Sequence, residues 1–228
     1  MFSREFGNIN TSQVTLEPDM GVNLWQATGP MGRMLFTELE DPNFSIWHSE
    51  YQITTDTHIT MQVPHESSVG LSFVLKRNFS YAHSLGTGIA KRNHYNLSYL
   101  PEVHCEYKFP KGDYATFGIQ FTQEYIQRLD IDKFPLFTEF INKIKEGIQA
   151  RITDRHLFAT SEMLTIISEL LTFNYKGSLP KLYLNTKVIE LLRLALENIS
   201  RRSNESKTLI SASELKTMES VRDCILSR

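Results

Sequence analysis

Val103-His104-Cys105-Glu106-Tyr107-Lys108-Phe109-Pro110-Lys111-Gly112-Asp113 is the stretch that decides how the first half of this chain folds. Val103, Cys105, Tyr107 and Phe109 alternate with His104, Glu106 and Lys108, and the alternation stops at Pro110-Lys111-Gly112-Asp113. Period-two alternation puts successive side chains on opposite faces of a half-buried antiparallel strand, and the Pro-Gly-Asp cluster reads as the turn that ends it. Phe117, Ile119 and Phe121 resume the pattern after the turn. Upstream, Ile59, Met61 and Val63 alternate with His58, Thr60 and Gln62. Val69, Leu71, Phe73 and Leu75 alternate with Gly70, Ser72 and Lys76, and Tyr95, Leu97 and Tyr99 with His94, Asn96 and Ser98. Ser84-Leu85-Gly86-Thr87-Gly88 reads as a turn or bulge. Short strands in a row with no helix between them predict an antiparallel barrel or sandwich.

The period changes near Thr122. Glu124 to Leu129 suits a short helix. Pro135 suits the first turn of the next, which carries Phe137, Phe140, Ile141, Ile144 and Ile148. Thr160 or Ser161 opens a third, with Met163, Leu164, Ile166, Ile167, Leu170 and Leu171. The strongest helix is expected from about Lys181 to Ser200, and it is apolar on two sides. Leu184, Val188, Leu191 and Ala195 form one stripe; Leu182, Ile189, Leu192, Leu196 and Ile199 form another. A surface helix needs only one apolar face, so the second stripe means either central burial or a dimerisation surface.

Residues 201–210, polar and without periodicity, read as a linker. Ser211 and Glu214 have the spacing of a capping box, with Ile210 and Leu215 placed as a hydrophobic staple. Leu215, Met218, Val221 and Ile225 follow at helical spacing. This predicts a new helix over 211–228 whose packing partners would lie in a domain cut away at the carboxyl end.

Composition narrows the function classes. The 228 residues are 41% hydrophobic and 11% aromatic, ordinary for a globular protein. A formal net charge of −2 does not suit a chain that binds nucleic acid by charge. No apolar run reaches the length of a membrane helix, and Met1 to Asn10 lacks the pattern of a signal peptide. Cys105 and Cys224 form no metal-like pair, which fits reduced thiols in a cytoplasmic protein.

The order of segments resembles the AraC family of bacterial transcription regulators. Three stretches carry the likeness. Gly70-Leu71-Ser72-Phe73-Val74-Leu75-Lys76, with Asn96-Leu97-Ser98-Tyr99-Leu100-Pro101 and Phe109-Pro110-Lys111-Gly112-Asp113-Tyr114, is similar to the sensor strands of its pyochelin-regulator-like branch. Residues 175–192 (YKGSLPKLYLNTKVIELL) are similar to that branch's helical segment. Residues 213–226 (SELKTMESVRDCIL) resemble the first helix of the family's DNA-binding domain. The resemblance implies an α+β protein, a cupin-like antiparallel β-barrel (jelly roll) followed by a helical dimerisation unit. The domains expected are a ligand-sensing β-domain at 1–122, a dimerisation unit at 123–200, a linker at 201–210, and the first helix of a truncated DNA-binding domain at 211–228. Such a chain would be a homodimer that answers a small-molecule effector. It would meet operator DNA only through the missing helix-turn-helix units.

Catalytic motifs are weak. Cupin enzymes place two histidines one residue apart with a glutamate soon after, but no His-x-His occurs here. His48 with Glu50 and His104 with Glu106 share strand faces, but each pair supplies only two ligands, below the three protein ligands typical of a catalytic zinc site. There is no Gly-x-Ser-x-Gly and no P-loop, and Gly86-Thr87-Gly88 lacks the third glycine of a dinucleotide fingerprint. No catalytic residue, metal or cofactor is therefore expected. Barrel aromatics suggest a pocket instead. The ligand-binding candidates are Trp47, Tyr51, Phe73, Tyr95, Tyr99 and Tyr107, with His48 and His104 as polar anchors. Arg92 is read as a solvated turn charge. A metal-dependent cupin enzyme and a dimeric interaction module without a ligand are the alternatives. A stoichiometric metal would mark the first, and a dry, filled barrel the second.

Overall fold

The computed structural model describes residues 10–17, 22–63, 68–129, 134–173 and 179–226. Two antiparallel sheets face each other. The larger contains β1 (Asn10–Glu17), β2 (Val22–Gly29), β3 (Gly32–Glu40) and β4 (Phe44–Ile53). The smaller contains β5 (Thr57–Val63) and, further along, β7 (Phe79–His83), β8 (Gly86–Ala90) and β10 (Val103–Phe109). β6 (Ser68–Lys76), β9 (His94–Tyr99) and β11 (Gly112–Thr122) return to the larger sheet, joined there by β12 (Ala150–Arg151) from the helical half. The larger sheet runs β1-β2-β3-β4-β11-β6-β9-β12, with β13 (Leu157–Phe158) also pairing β9; the smaller runs β5-β10-β7-β8. The alternation at 103–109 is β10, paired on both sides by β5 and β7. Ser84-Leu85 is the turn of the β7–β8 hairpin.

The helices start where local chemistry places them. Thr122 caps α1 (Gln123–Arg128), its hydroxyl accepting from the Tyr125 N–H at 3.2 Å. Pro135 is the first residue of α2 (Pro135–Lys145), where a missing N–H costs no helical hydrogen bond. Thr160 caps α3 (Ser161–Leu171) by accepting from the Met163 N–H at 3.3 Å. Phe137, Phe140 and Ile144 of α2 and Met163, Ile166, Ile167 and Leu170 of α3 are buried at helical spacing. They share one core with α4 (Pro180–Leu226) and with Val69, Leu71, Phe73, Leu97, Phe117, Ile119 and Phe121 of the larger sheet. Full burial of each such side chain is worth about 1.5–3 kcal/mol.

Three expectations are corrected. The backbone does not break over 201–210, because α4 is continuous from Pro180 to Leu226. Arg201-Arg202-Ser203-Asn204-Glu205-Ser206-Lys207 is polar, but it contains neither Pro nor Gly, and Arg, Glu and Lys favour helix. Ser211 is accordingly internal to a helix and does not start one; the capping-box and staple side chains at 210–215 lie outside the described residues. The second stripe of α4 also splits. Leu192, Leu196 and Ile199 are buried in the core of this same chain, whereas Leu182 is 62% and Ile189 48% exposed. At about 100° per residue, the two expected stripes merge into one broad buried face, with Leu182 and Ile189 just outside its edge. Only those two of the five expected dimerisation residues are free of the protomer's core.

Candidate functional site

The larger sheet is covered on both faces, and that decides which residues face the space between the sheets. On β11 the register sets Phe117 opposite His48 and Phe73, Ile119 opposite Ile46 and Leu71, and Phe121 opposite Phe44 and Val69. Directly opposed residues share a face. The apolar members of this set lie in the core shared with the helices. The intervening positions face the smaller sheet: Glu38, Trp47, Gly118, Ser72 and Asn96 stand in one row across β3, β4, β11, β6 and β9.

A cavity of about 250 Å³ lies between the sheets. That is near the lower end of small-molecule sites, roughly 300–1,000 Å³. Glu38, Trp47, Ser49, Tyr51, Ser72, Asn96, Ser98, Thr116 and Gln120 line it from the larger sheet. Phe79, Tyr81, His83, Cys105, Tyr107 and Phe109 line it from the smaller one, and Arg151 and His156 from the segment between α2 and α3. Space for the Trp47 indole comes from Gly118. A Cβ there would stand 2.4 Å from Trp47 Cε2 and Cζ2, closer than any real contact. The Tyr51 ring stacks on Phe109 with centroids 5.1 Å apart and meets Phe36 edge-on at 5.7 Å. Ser49, Thr116 and Asn96 are buried. Asn96 Nδ2 donates to the Thr153 carbonyl at 3.0 Å, and its Oδ1 accepts from the Leu97 N–H at 2.8 Å.

The mouth is chemically distinct. Arg151 on β12 donates to the Leu85 carbonyl and, at 3.4 Å, to the Tyr81 hydroxyl, and Gln149 Nε2 donates to the Ser84 carbonyl at 3.4 Å. These contacts hold the β7–β8 hairpin against the β12 segment. His83 stacks on Tyr81 at 5.0 Å, and His156 lies against the other side of this cluster, 5.4 Å from the Tyr81 ring. Burial, then Arg151 and His156, push His83 down to about 4. Its Nδ1 accepts from the Leu85 N–H at 3.1 Å, which suits a neutral ring. Burial, followed by Arg151 and His94, also holds His156 below the usual histidine range. Cys105 is buried against the cavity and its thiol is pushed up by desolvation, so it is a thiol and not a thiolate nucleophile.

Five expected ligand residues border the cavity: Trp47, Tyr51, Phe73, Tyr95 and Tyr107. Three do not. His48 follows the opposite phase of β4 from Trp47, Ser49 and Tyr51, opposite Phe117. Tyr99 is buried on the helix-facing side, where its hydroxyl accepts from Gln123 Nε2 at 3.2 Å. His104 is exposed, one position out of phase with Cys105. Phe73 and Tyr95 also spend their rings elsewhere, stacked on each other at 5.2 Å in the helix-side core. The Tyr95 hydroxyl donates to the Ala195 carbonyl at 3.0 Å and accepts from Asn198 Nδ2 at 3.1 Å. Arg92 is an exposed turn residue outside the lining. Sequence reasoning missed Glu38, Tyr81, His83, Arg151 and His156. Arg151 sits in a two-residue strand within a helical stretch, too short to leave a period.

Among the described residues, no three or more His, Cys, Asp or Glu side chains gather as metal ligands. No helix of the described residues is long and apolar enough to cross a membrane.

Residues 31–209 match the family described as "Regulatory protein PchR N-terminal domain". The chain belongs to that family. It is the N-terminal, regulatory region of an AraC-type regulator. No curated protein matches it in sequence. Among solved structures, the AraC-like transcriptional activator CuxR is 7% identical with a TM-score of 0.38, over 83% of this chain and 61% of that one. The cupin domain of Schizosaccharomyces pombe Cnp3 is 11% identical with a TM-score of 0.34, over 63% of this chain and 96% of its own. A cupin-2 domain from Rhodospirillum rubrum is 10% identical with a TM-score of 0.31, over 60% and 92%. Likeness at that level says nothing about what this chain binds.

Proposed function

We propose that this region senses a small molecule in the space between its sheets and passes the result to α4, biasing DNA-binding domains in the cytoplasm. The observation that carries this reading is the aromatic, partly polar cavity of about 250 Å³. A protein that served only as an interaction module would need no such space. The buried serine, threonine and asparagine groups of the floor can orient a ligand, while the aromatic rings supply most of the contact area. The role is regulatory, not enzymatic: Cys105 is held as a thiol, and His83 and His156 as neutral rings, with no carboxylate paired to them among the described residues.

The coupling route runs through the strands themselves. Asn96 and Ser98 face the cavity, and Tyr95 and Leu97, their neighbours on β9, face the helices. Tyr95 ends on Ala195 and Asn198 of α4. A ligand that binds one position of β9 better than another shifts the populations of both, and α4 with them. A homodimer formed over the exposed Leu182 and Ile189 would carry that shift to a partner chain. Native mass spectrometry of the purified protein, fed a metabolite extract, tests the sensing role. A stoichiometric small-molecule mass, lost when Trp47 is replaced by Ala, is expected. Absence of any bound mass across extracts, with a filled cavity by crystallography, would refute it.

A further inference from the structure

The mouth of the cavity holds a charge pattern that the sensing role does not require. Among the described residues, Arg151 is the one Lys or Arg in the lining, and His83, His94 and His156 lie at the same end. Among the described residues, the one lining carboxylate, Glu38, is on β3, five strands from β12 in the order β3-β4-β11-β6-β9-β12. The basic end of the cavity therefore stands apart from that carboxylate. The cavity's aromatic side chains, Trp47, Tyr51, Phe79 and Tyr107, lie on the two sheets.

We propose that the effector is a small aromatic anion, whose rings lie among Trp47, Tyr51, Phe79 and Tyr107 and whose acidic group is held at the mouth by Arg151, with His83 and His156 beside it. This rests on the sensing role above and adds the chemical class of the ligand. The guanidinium already faces two oxygen acceptors, the Leu85 carbonyl and the Tyr81 hydroxyl. A carboxylate is a better acceptor for it, charge-assisted and able to take two parallel N–H bonds. An acid group arriving there competes for the contacts that clasp the β7–β8 hairpin, so binding also changes how the mouth is closed.

The imidazoles stay neutral. His83 faces Tyr81 on its own strand, Cys105 on β10, and Arg151 and His156 across the mouth; His156 in turn is near His94 of β9. Burial first, and then Arg151, hold both rings below the usual histidine range, so at pH 7 they stand beside the anion uncharged and the guanidinium supplies the charge.

The test uses 1-naphthoate and its uncharged analogue 1-naphthamide, titrated calorimetrically into the protein, Arg151→Gln and Arg151→Lys at pH 7. Naphthoate is expected to bind about tenfold more tightly than naphthamide, the discrimination a hydrogen-bonded charge pair supplies. Arg151→Gln should bring the two within about twofold of each other, whatever loss common to both follows from releasing the hairpin, and Arg151→Lys should keep most of the preference. If Arg151 only braces the hairpin, both probes weaken together and the ratio survives in Arg151→Gln, which overturns the proposal. Equal binding of the two probes to the unsubstituted protein overturns the charge selection but leaves a ligand-binding barrel. Binding of neither overturns this inference, and the sensing role then stands or falls on the native mass measurement.

Discussion

Tyr95→Phe removes one oxygen from the junction between barrel and helix and nothing else. That oxygen donates to the Ala195 carbonyl at 3.0 Å and accepts from Asn198 Nδ2 at 3.1 Å. Burial pushes the phenol up to about 12, so it is a neutral donor at any ordinary pH. The ring itself keeps its stack on Phe73. Two buried hydrogen bonds at about 0.5–1.5 kcal/mol each put the loss at about 1–3 kcal/mol. Asn198 retains the Phe158 carbonyl, to which Nδ2 also donates at 3.1 Å, so it is not orphaned. Asn198→Ala removes that bond, the Tyr95 bond and the acceptor of Arg201 together, and should cost more. Because the two side chains touch, the double variant should fall short of additivity by about 1 kcal/mol. Urea unfolding followed by circular dichroism reads all three, with an unchanged denaturant slope as the sign that only stability moved. Tyr95→Phe within about 0.5 kcal/mol of the parent, or strict additivity in the double variant, would refute the junction. It would also remove the shortest path from cavity to α4.

Three further outcomes follow from the geometry. Gly118→Ala drives a methyl into the Trp47 indole, so Trp47 must leave the cavity floor, with a shift in tryptophan emission and about 1–3 kcal/mol of lost stability; unchanged emission would count against the placement of that ring. The folded-state pKa of His83 is depressed, to about 4, so its stabilising contribution is whole above the unfolded value near 6.5 and is lost as pH falls toward 4. With the ring half-buried and partly screened, the loss amounts to about 1–2 kcal/mol, and His83→Gln should remove that part of the pH dependence in thermal melts. Ile189→Glu should convert a dimer to a monomer by light scattering without lowering the melting temperature, whereas Leu192→Glu, which buries an unpaired carboxylate, should unfold the chain.

The strands of β5, β6, β9, β10 and β11 were legible because their alternation is strong, and so were the starts of α1, α2 and α3, marked by Thr122, Pro135 and Thr160. Residues 22–53 carry Thr, Glu, Gln and Asn among their apolar positions, and the individual strands there were not separable. The phase of alternation was the main loss. In a sheet covered on one face, the apolar set points inward and the polar set outward. Here the larger sheet has helices behind it, so Phe73, Tyr95 and Phe117 pack on the helices. The polar set, Ser72, Asn96, Ser98 and Thr116, lines the cavity. Nothing local to β9 says which face lines the cavity; that is set by α3 and α4, some seventy to a hundred residues later in the chain. The α4 stripes failed for a related reason, since a helix lying on both α3 and the sheet buries a wider arc than a surface helix does.

For the sensing role proposed above, that two-faced sheet makes a long relay unnecessary. In β6, β9 and β11 each residue that meets the cavity is bonded to one that meets the helical layer: Ser72 to Phe73, Asn96 to Leu97, Thr116 to Phe117. A strand is too stiff to move one set without the other, because the side chains share a pleated backbone. A ligand that displaces Asn96 from the Thr153 carbonyl therefore disturbs the seat of Leu97 and Tyr95 in the same movement. The Asn198 bonds to Tyr95 and to the Phe158 carbonyl then hold α4 to β9 and β13 at once. Amide exchange separates this from a diffuse softening. Ligand should change protection along β9 and the Ala195–Ile199 turn of α4 together and leave β2 unaltered. A change spread evenly over the larger sheet would mean that the coupling does not run through β9.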